Sequence, residues 1–172
     1  MEIAFRPLRE EHLPLLHEWL QRAHVRRWWG DEYERPETVV EHYLPAIEGR
    51  DPTDHYLVLL DGEPRAFLET YLVADYPEYD ECLHVGSGVA GVDIFIADAD
   101  LLGRGLGPRI LRTFVDEVVF ARDDVHAVVA GPMLENVPSI RAFEKAGFRR
   151  DFLYDCDPEE PGTHQLMRLD RS

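Results

Sequence analysis

Two apolar runs separated by Asp61-Gly62 set the first limit on this chain. His55 to Leu60 (HYLVLL) reads as a strand, and Pro64 to Val73 reads as a second strand pairing back on it. An Asp-Gly pair between such runs is a strong signal for a two-residue hairpin turn, because both turn positions need positive φ. A hairpin this early excludes a strict β-α-β alternation, and with it a doubly wound nucleotide-binding sheet. The remaining elements are read around it. Residues 2–7 form a short strand, and Glu10 to Arg22 an amphipathic helix with Leu13, Leu16, Trp19 and Leu20 on one stripe. AHVRRWWGDEYERP reads as a loop, and Pro36 to Ile47 as a helix opened by proline and Glu37. Residues 74–88 read as an irregular acidic and aromatic loop, followed by a strand from Val89 to Ala97 and a glycine-rich turn. Pro108 to Ala121 is expected to be helical, Val125 to Ala130 a strand, and Pro138 to Ala146 a short helix closed by Gly147. Two strands, Phe148 to Tyr154 and Thr163 to Leu169, complete an order of β-α-α-β-β-β-α-β-α-β-β. This predicts one α/β (α+β) domain over residues 1–172, a mixed sheet flanked by helices.

Composition narrows the chemistry. The chain has 172 residues, with 34 acidic and 18 basic side chains and a net charge of −16. Such a surface repels phosphate backbones and anionic headgroups, so neither a nucleic acid nor a membrane is expected as partner. A polycation would be attracted. Lys145 is the single lysine, a bias that also fits coding composition or salt adaptation. Cys82 and Cys156 form no CxxC pair and suggest no disulfide framework, which favours a reducing compartment. MEIAFRPLRE lacks a signal-peptide pattern, and no apolar run reaches the roughly 20 residues of a membrane span. A cytoplasmic protein is expected. The histidines show no HxxxH or HExxH spacing, so no metal is expected.

Gly103-Arg104-Gly105-Leu106-Gly107 joins a strand to a helix. Glycines let the backbone turn sharply, and the first N–H groups of the following helix suit a phosphate or pyrophosphate. No Gly-Lys-Ser/Thr follows, so this is not a Walker loop. On its own the turn is equally compatible with a purely structural strand-to-helix connection. Asp93 is the second anomaly. It lies inside the apolar strand VAGVDIFIA, where alternation puts Gly91, Asp93 and Phe95 on one face and Val92, Ile94 and Ile96 on the other. Aspartate is depleted in strands, and burying its charge is costly without a partner. An amine would be one such partner; an arginine or backbone N–H groups would be another.

The glycine turn together with Glu135-Asn136-Val137-Pro138-Ser139-Ile140-Arg141-Ala142-Phe143-Glu144-Lys145-Ala146-Gly147-Phe148 resembles the GNAT superfamily of acyl-CoA-dependent N-acyltransferases. The turn is similar to that family's Q/R-x-x-G-x-G/A motif and the second segment to its N-x-x-A-x-x-x-Y-x-K-x-G-F helix. The predicted fold is then the GNAT fold, a central, mostly antiparallel sheet flanked by helices. The resemblance implies acetyl-CoA as cosubstrate, with its pyrophosphate on Gly103, Arg104, Gly105, Leu106 and Gly107. It also implies pantetheine beside Ile94, Phe95 and Ile96, and further cofactor contacts from Asn136 and Phe143. Two positions depart from the pattern: Leu102 stands where Gln or Arg is usual, and Phe143 where a tyrosine often protonates the departing thiolate.

HEWLQRAHVRRWWGDE, VEHYLPAIEG, DGEPRAFLETY and GVAGVDIFIADADLLGRGLG occur in an order that resembles the aminoglycoside 6′-N-acetyltransferases within that superfamily. That resemblance implies Asp93 as the catalytic residue beside the acceptor amine, and Glu78 as a carboxylate on the acceptor. Trp28, Trp29, Asp80 and Glu135 are further candidates for binding a polycationic small-molecule amine. The group typically has Asp-Pro where this chain has Gly131-Pro132. Two other readings stay open at this stage. One is a siderophore-biosynthesis N-hydroxylysine acyltransferase, which shares the layout. The other is a CoA-binding module without catalysis. Asp151 to Glu160 reads as surface.

Overall fold

The computed structural model describes all residues 1–172. Seven strands follow the order β1-β2-β3-β4-β5-β7-β6, and the chain packs as two compact units.

The first unit comprises residues 1–69 and 94–102. It holds β1 (Ile3–Pro7), α1 (Leu13–Leu20), α2 (Ala23–Trp29), α3 (Pro36–Ile47), β2 (Asp54–Leu60), most of β3 (Glu63–Leu72) and the end of β4 (Val89–Ile96). β1 runs antiparallel to β2, from Ile3 opposite Leu60 to Pro7 opposite Tyr56. The expected hairpin forms, with Asp61 at φ 49° and Gly62 at φ 85°, the left-handed pair that such a turn needs. Leu13, Leu16, Trp19 and Leu20 are buried along α1, as its spacing requires. α2 is a correction, since this segment reads as loop in the sequence. Seven residues are too few for propensity alone to hold a helix. The helix instead follows from burial. Val25 is 1% exposed, and Trp29 meets the edges of Phe67 at 5.6 Å and Phe95 at 5.0 Å. Gly30, at φ 98°, ends it.

The second unit comprises residues 70–93 and 103–172. It holds the end of β3, α4 (Pro77–Leu83), the start of β4, α5 (Leu106–Phe114), β5 (Ala127–Ala130), α6 (Val137–Lys145), β6 (Arg149–Tyr154) and β7 (His164–Asp170). β5 lies parallel to β4 and antiparallel to β7, and β6 is antiparallel to β7. α4 is a second correction to a predicted loop. Pro77 and acidic Glu78 and Asp80 occupy its first turn, and His84 closes it in the left-handed conformation at φ 49°. α5 begins at Leu106, two residues before Pro108, and passes into a π-helical turn over Val115–Val119. The cysteines are a third correction. Cys82 of α4 and Cys156 after β6 form a disulfide across 74 residues of sequence. Two cysteines without a motif say nothing about proximity; it is the 5.6 Å between their Cα atoms that makes the bond possible. No helix is long and apolar enough to cross a membrane.

Candidate active site

The glycine turn is the simplest part of the site. Gly103 (φ 73°) and Gly105 (φ 76°) both take left-handed backbone, and Gly105 caps α5 without any side-chain hydrogen bond. Nothing lies within 4 Å of where a Cβ would stand on either. The glycines are therefore demanded by conformation, and the space in front of them is open. Gly103, Arg104 and Gly105 are exposed, while the Leu106 side chain is buried. Pro108 is the third helical residue and has no N–H, so Leu106 and Gly107 supply the uncapped donors of this turn. Anions are favoured at such a terminus. On α6, Asn136 is the N-cap, its side-chain oxygen accepting the Ser139 N–H at 3.3 Å. Phe143 is 3% exposed and packs edge-on against Phe148 at 5.1 Å. Glu135 is exposed just ahead of that cap.

In the first unit, the end of β4 is held by side chains. His24 donates from Nε2 to the Ile96 carbonyl at 2.8 Å, and Arg22 donates to the Ala97 carbonyl at 2.8 Å. Asp98 joins Arg22 at 2.6 Å to Arg65 at 2.9 Å. These groups line an open pocket with Ala99, Asp100 and Leu101. Phe95 is buried among Trp19, Trp29 and Phe67. Trp29 thus belongs to the core, whereas Trp28 stacks with the Arg27 guanidinium at 4.7 Å. Pairing of β4 with β5 runs from Val89 to Gly91, although β4 continues to Ile96.

Asp93 lies in the second unit beside a group of phenols and carboxylates. The Tyr79 and Tyr154 hydroxyls are 3.0 Å apart. Burial raises the pKa of both, and the charges of Asp93 and Asp157 add to it, so both remain O–H. Removal of water from the Glu160 carboxyl, and then the charges of Asp93 and Asp157, push its pKa up to about 7. Three carboxylates and two phenols from α4, β4, β6 and the segment after β6 therefore act on one another. His164, fully buried, holds that arrangement. Its two ring nitrogens lie 2.8 Å from the Gly131 and Glu160 carbonyl oxygens, and its ring stacks on Tyr154 at 5.0 Å.

Of this group the sequence singles out Asp93 alone; Tyr154, Asp157, Glu160 and His164 carry no local signal in it. The stretch from Asp151 to Glu160 is mostly exposed, as expected, and its Asp157 and Glu160 carboxyls belong to this group. Glu78 and Asp80 flank Tyr79 on α4, Glu78 exposed and Asp80 half-buried. Gly131 has a plain steric reason: a Cβ there would collide with the Tyr154 hydroxyl.

An anion-binding glycine turn and a carboxylate-rich cluster, on a mixed sheet of this order, define an acyl-CoA N-acyltransferase. Residues 9–166 match the acetyltransferase (GNAT) domain, and the chain belongs to that family. It is 35% identical to an aminoglycoside N(6′)-acetyltransferase type 1 of Klebsiella pneumoniae, over 96% of this chain and 82% of that protein. It is 30% identical to a lysine N-acyltransferase, MbtK, of Mycolicibacterium paratuberculosis, over 96% of this chain and 71% of that one. Among solved structures, AAC(6′)-Ib in complex with paromomycin and acetyl-CoA superposes with a TM-score of 0.86 at 30% identity, covering 99% of this chain and 94% of that one.

Proposed function

We propose that this GNAT-family N-acetyltransferase transfers acetyl from acetyl-CoA directly to a primary amine of an aminoglycoside, and so confers resistance to such drugs. The observation that carries the reading is the charge pattern around Asp93. Asp93, Asp157 and Glu160 act on one another beside buried phenols, an arrangement that becomes favourable when a multiply charged ammonium compound neutralises it. The similarity to aminoglycoside N(6′)-acetyltransferases along nearly the whole chain supports the same acceptor class. The N-hydroxylysine acceptor is the second reading, favoured by the similarity to a lysine N-acyltransferase.

In this mechanism the N–H groups of Gly103 to Gly107 hold the pyrophosphate. The backbone of Ile94, Phe95 and Ile96 accompanies the pantetheine, with an N–H there polarising the thioester carbonyl. Asn136 and Phe143 support the cofactor from α6. Asp93 holds the acceptor ammonium and takes one of its protons. The freed nitrogen lone pair forms the new C–N bond to the acetyl carbon, the nitrogen gives up its second proton to water, and the C–S bond breaks. A thiolate is a good leaving group at neutral pH. The proton that a tyrosine at position 143 would give therefore comes from water here. Glu78, Asp80 and Glu135 are further carboxylates for the acceptor, and Trp28 and Trp29 are the aromatic candidates. The cytoplasm, where acetyl-CoA is supplied, is the compartment this reading requires.

Thiol release from acetyl-CoA, measured with a kanamycin-type aminoglycoside, an N-hydroxylysine siderophore precursor and a basic peptide, tests the reading. Release with the aminoglycoside is expected. Release only with the hydroxylamine would replace it by the second reading, and release with no amine would leave a CoA-binding module.

A further inference from the structure

Side chains finish the end of β4 where its strand partner stops. Pairing with β5 ends at Gly91, yet β4 runs on to Ile96. Alternate residues of a strand turn their main-chain N–H and C=O groups to opposite edges. The Gly91 carbonyl accepts from Thr70 of β3 at 2.9 Å, and the Ala97 N–H donates to the Arg65 carbonyl of β3 at 2.8 Å. The odd-numbered groups therefore face β3, and those of Val92, Ile94 and Ile96 face the edge that β5 accompanies only as far as Gly91. On that edge His24 donates from Nε2 to the Ile96 carbonyl at 2.8 Å. On the other, the Arg22 Nη1 donates to the Ala97 carbonyl at 2.8 Å and to Asp98 Oδ1 at 2.6 Å, and its Nη2 to Glu18 at 3.0 Å. Asp98 Oδ2 accepts from Arg65 at 2.9 Å, which closes the bridge to β3. The planar guanidinium fork reaches three partners at once, which a lysine could not. Arg22 is the N-cap of α2 and His24 its second residue, so the short helix that the sequence does not announce aims both at one strand end.

We propose that His24 and Arg22, locked by Asp98, are positioning residues for acetyl-CoA: they keep the end of β4 extended along the edge beside which the pantetheine runs. A strand end that has outrun its neighbour opens at little cost. Side-chain donors on the Ile96 and Ala97 carbonyls replace the missing ladder. Each carbonyl oxygen has two lone pairs, so Ile96 can accept from an amide N–H of the pantetheine without releasing His24. An edge fixed in advance spares the cofactor the entropy of ordering it, and the benefit falls on acetyl-CoA, not on the acceptor. This inference rests on the reading that places the pantetheine beside Ile94, Phe95 and Ile96.

The test is the split between KM and kcat for each substrate in wild type, H24L, H24Q and D98N, with the Kd for CoA by calorimetry and Tm on the same proteins. Leucine removes the donor to the Ile96 carbonyl, and glutamine returns an N–H at similar reach. D98N breaks the bridge between Arg22 and Arg65 at a half-buried position, and it carries the test if H24L does not fold. H24L is expected to raise the KM for acetyl-CoA and the Kd for CoA roughly three- to tenfold, with kcat and the KM for a kanamycin-type acceptor close to wild type. H24Q should recover most of that loss, and D98N should move the same two constants in the same direction. Unmoved acetyl-CoA constants in the folded variants, equal losses for both substrates, or an H24Q as weak as H24L would overturn the inference and leave these side chains as packing. Hydrogen exchange of the amides of residues 94–98 in wild type, with and without CoA, tests the underlying reading by itself. Protection by CoA is expected; CoA that binds without protecting them would remove the pantetheine from this edge, and the inference with it.

Discussion

Each unit holds a titratable group displaced from its ordinary pKa, and the two stand in unlike surroundings. In the first, His55 is 9% exposed, among Tyr43 at 4.9 Å and Phe67 at 5.7 Å, with Nδ1 3.1 Å from Glu69. Burial dominates there, and it lowers the His55 pKa to about 4 against the pull of Asp51 and Asp54. That histidine is neutral and structural. In the second unit, loss of water and the charges of Asp93 and Asp157 raise Glu160 to about 7, so it retains a proton near neutral pH. One polar group is made inert by apolar neighbours. In the other, removal of water first, and then the charges of Asp93 and Asp157, raise the Glu160 carboxyl against the opposing pull of His164. This difference separates a core from a site.

The contrast is sharpened first through stability. The folded value of His55, about 4, lies below the ordinary value of 6.5. Above pH 6.5 both folded and unfolded chains hold it neutral. As pH falls from 6.5 toward 4 the unfolded chain gains a proton that the folded one refuses, and stability drops by about 3 kcal/mol. Denaturant titrations across that window should show the loss, and H55F should flatten it. A slope that survives H55F would place its source elsewhere. Glu160 has the opposite sign. Its folded value exceeds the ordinary 4.5, so its contribution is full below 4.5 and is lost as pH rises through about 7. Binding an ammonium should reverse that upward shift and expel the proton. Calorimetry near pH 7 in buffers of differing ionisation enthalpy should therefore detect release of up to about half a proton per acceptor bound, absent in E160Q. Equal release in E160Q would remove Glu160 from the acceptor site.

Much of this was legible in the sequence where the cause is local. Asp61-Gly62 fixed a turn through its φ requirement, the α1 stripe fixed a buried face, and Gly147, at φ 102°, ended α6. Asp93 stood out because strands rarely contain a carboxylate. α2 was not legible, because seven residues are too few to hold a helix by propensity, and what holds this one is Trp29 packed on Phe67 and Phe95. α4 carried its proline and acidic first turn in plain view, but its aromatic residues read as loop; once helical, Tyr79 joins the core of the second unit while Glu78 is exposed. Tyr154, Asp157 and Glu160 were invisible for a topological reason. Only the β6–β7 pairing, with β7 returning beside β5, brings that segment into the group around Asp93.

The measurement that bears most directly on the account is acetyl transfer by D93N, with CoA affinity measured on the same protein. Loss of the carboxylate from the acceptor cluster should cut kcat at least about tenfold, while the glycine turn binds CoA as before. Turnover equal to wild type would contradict the account, because the charge around which the second unit is arranged would then have no part in the reaction.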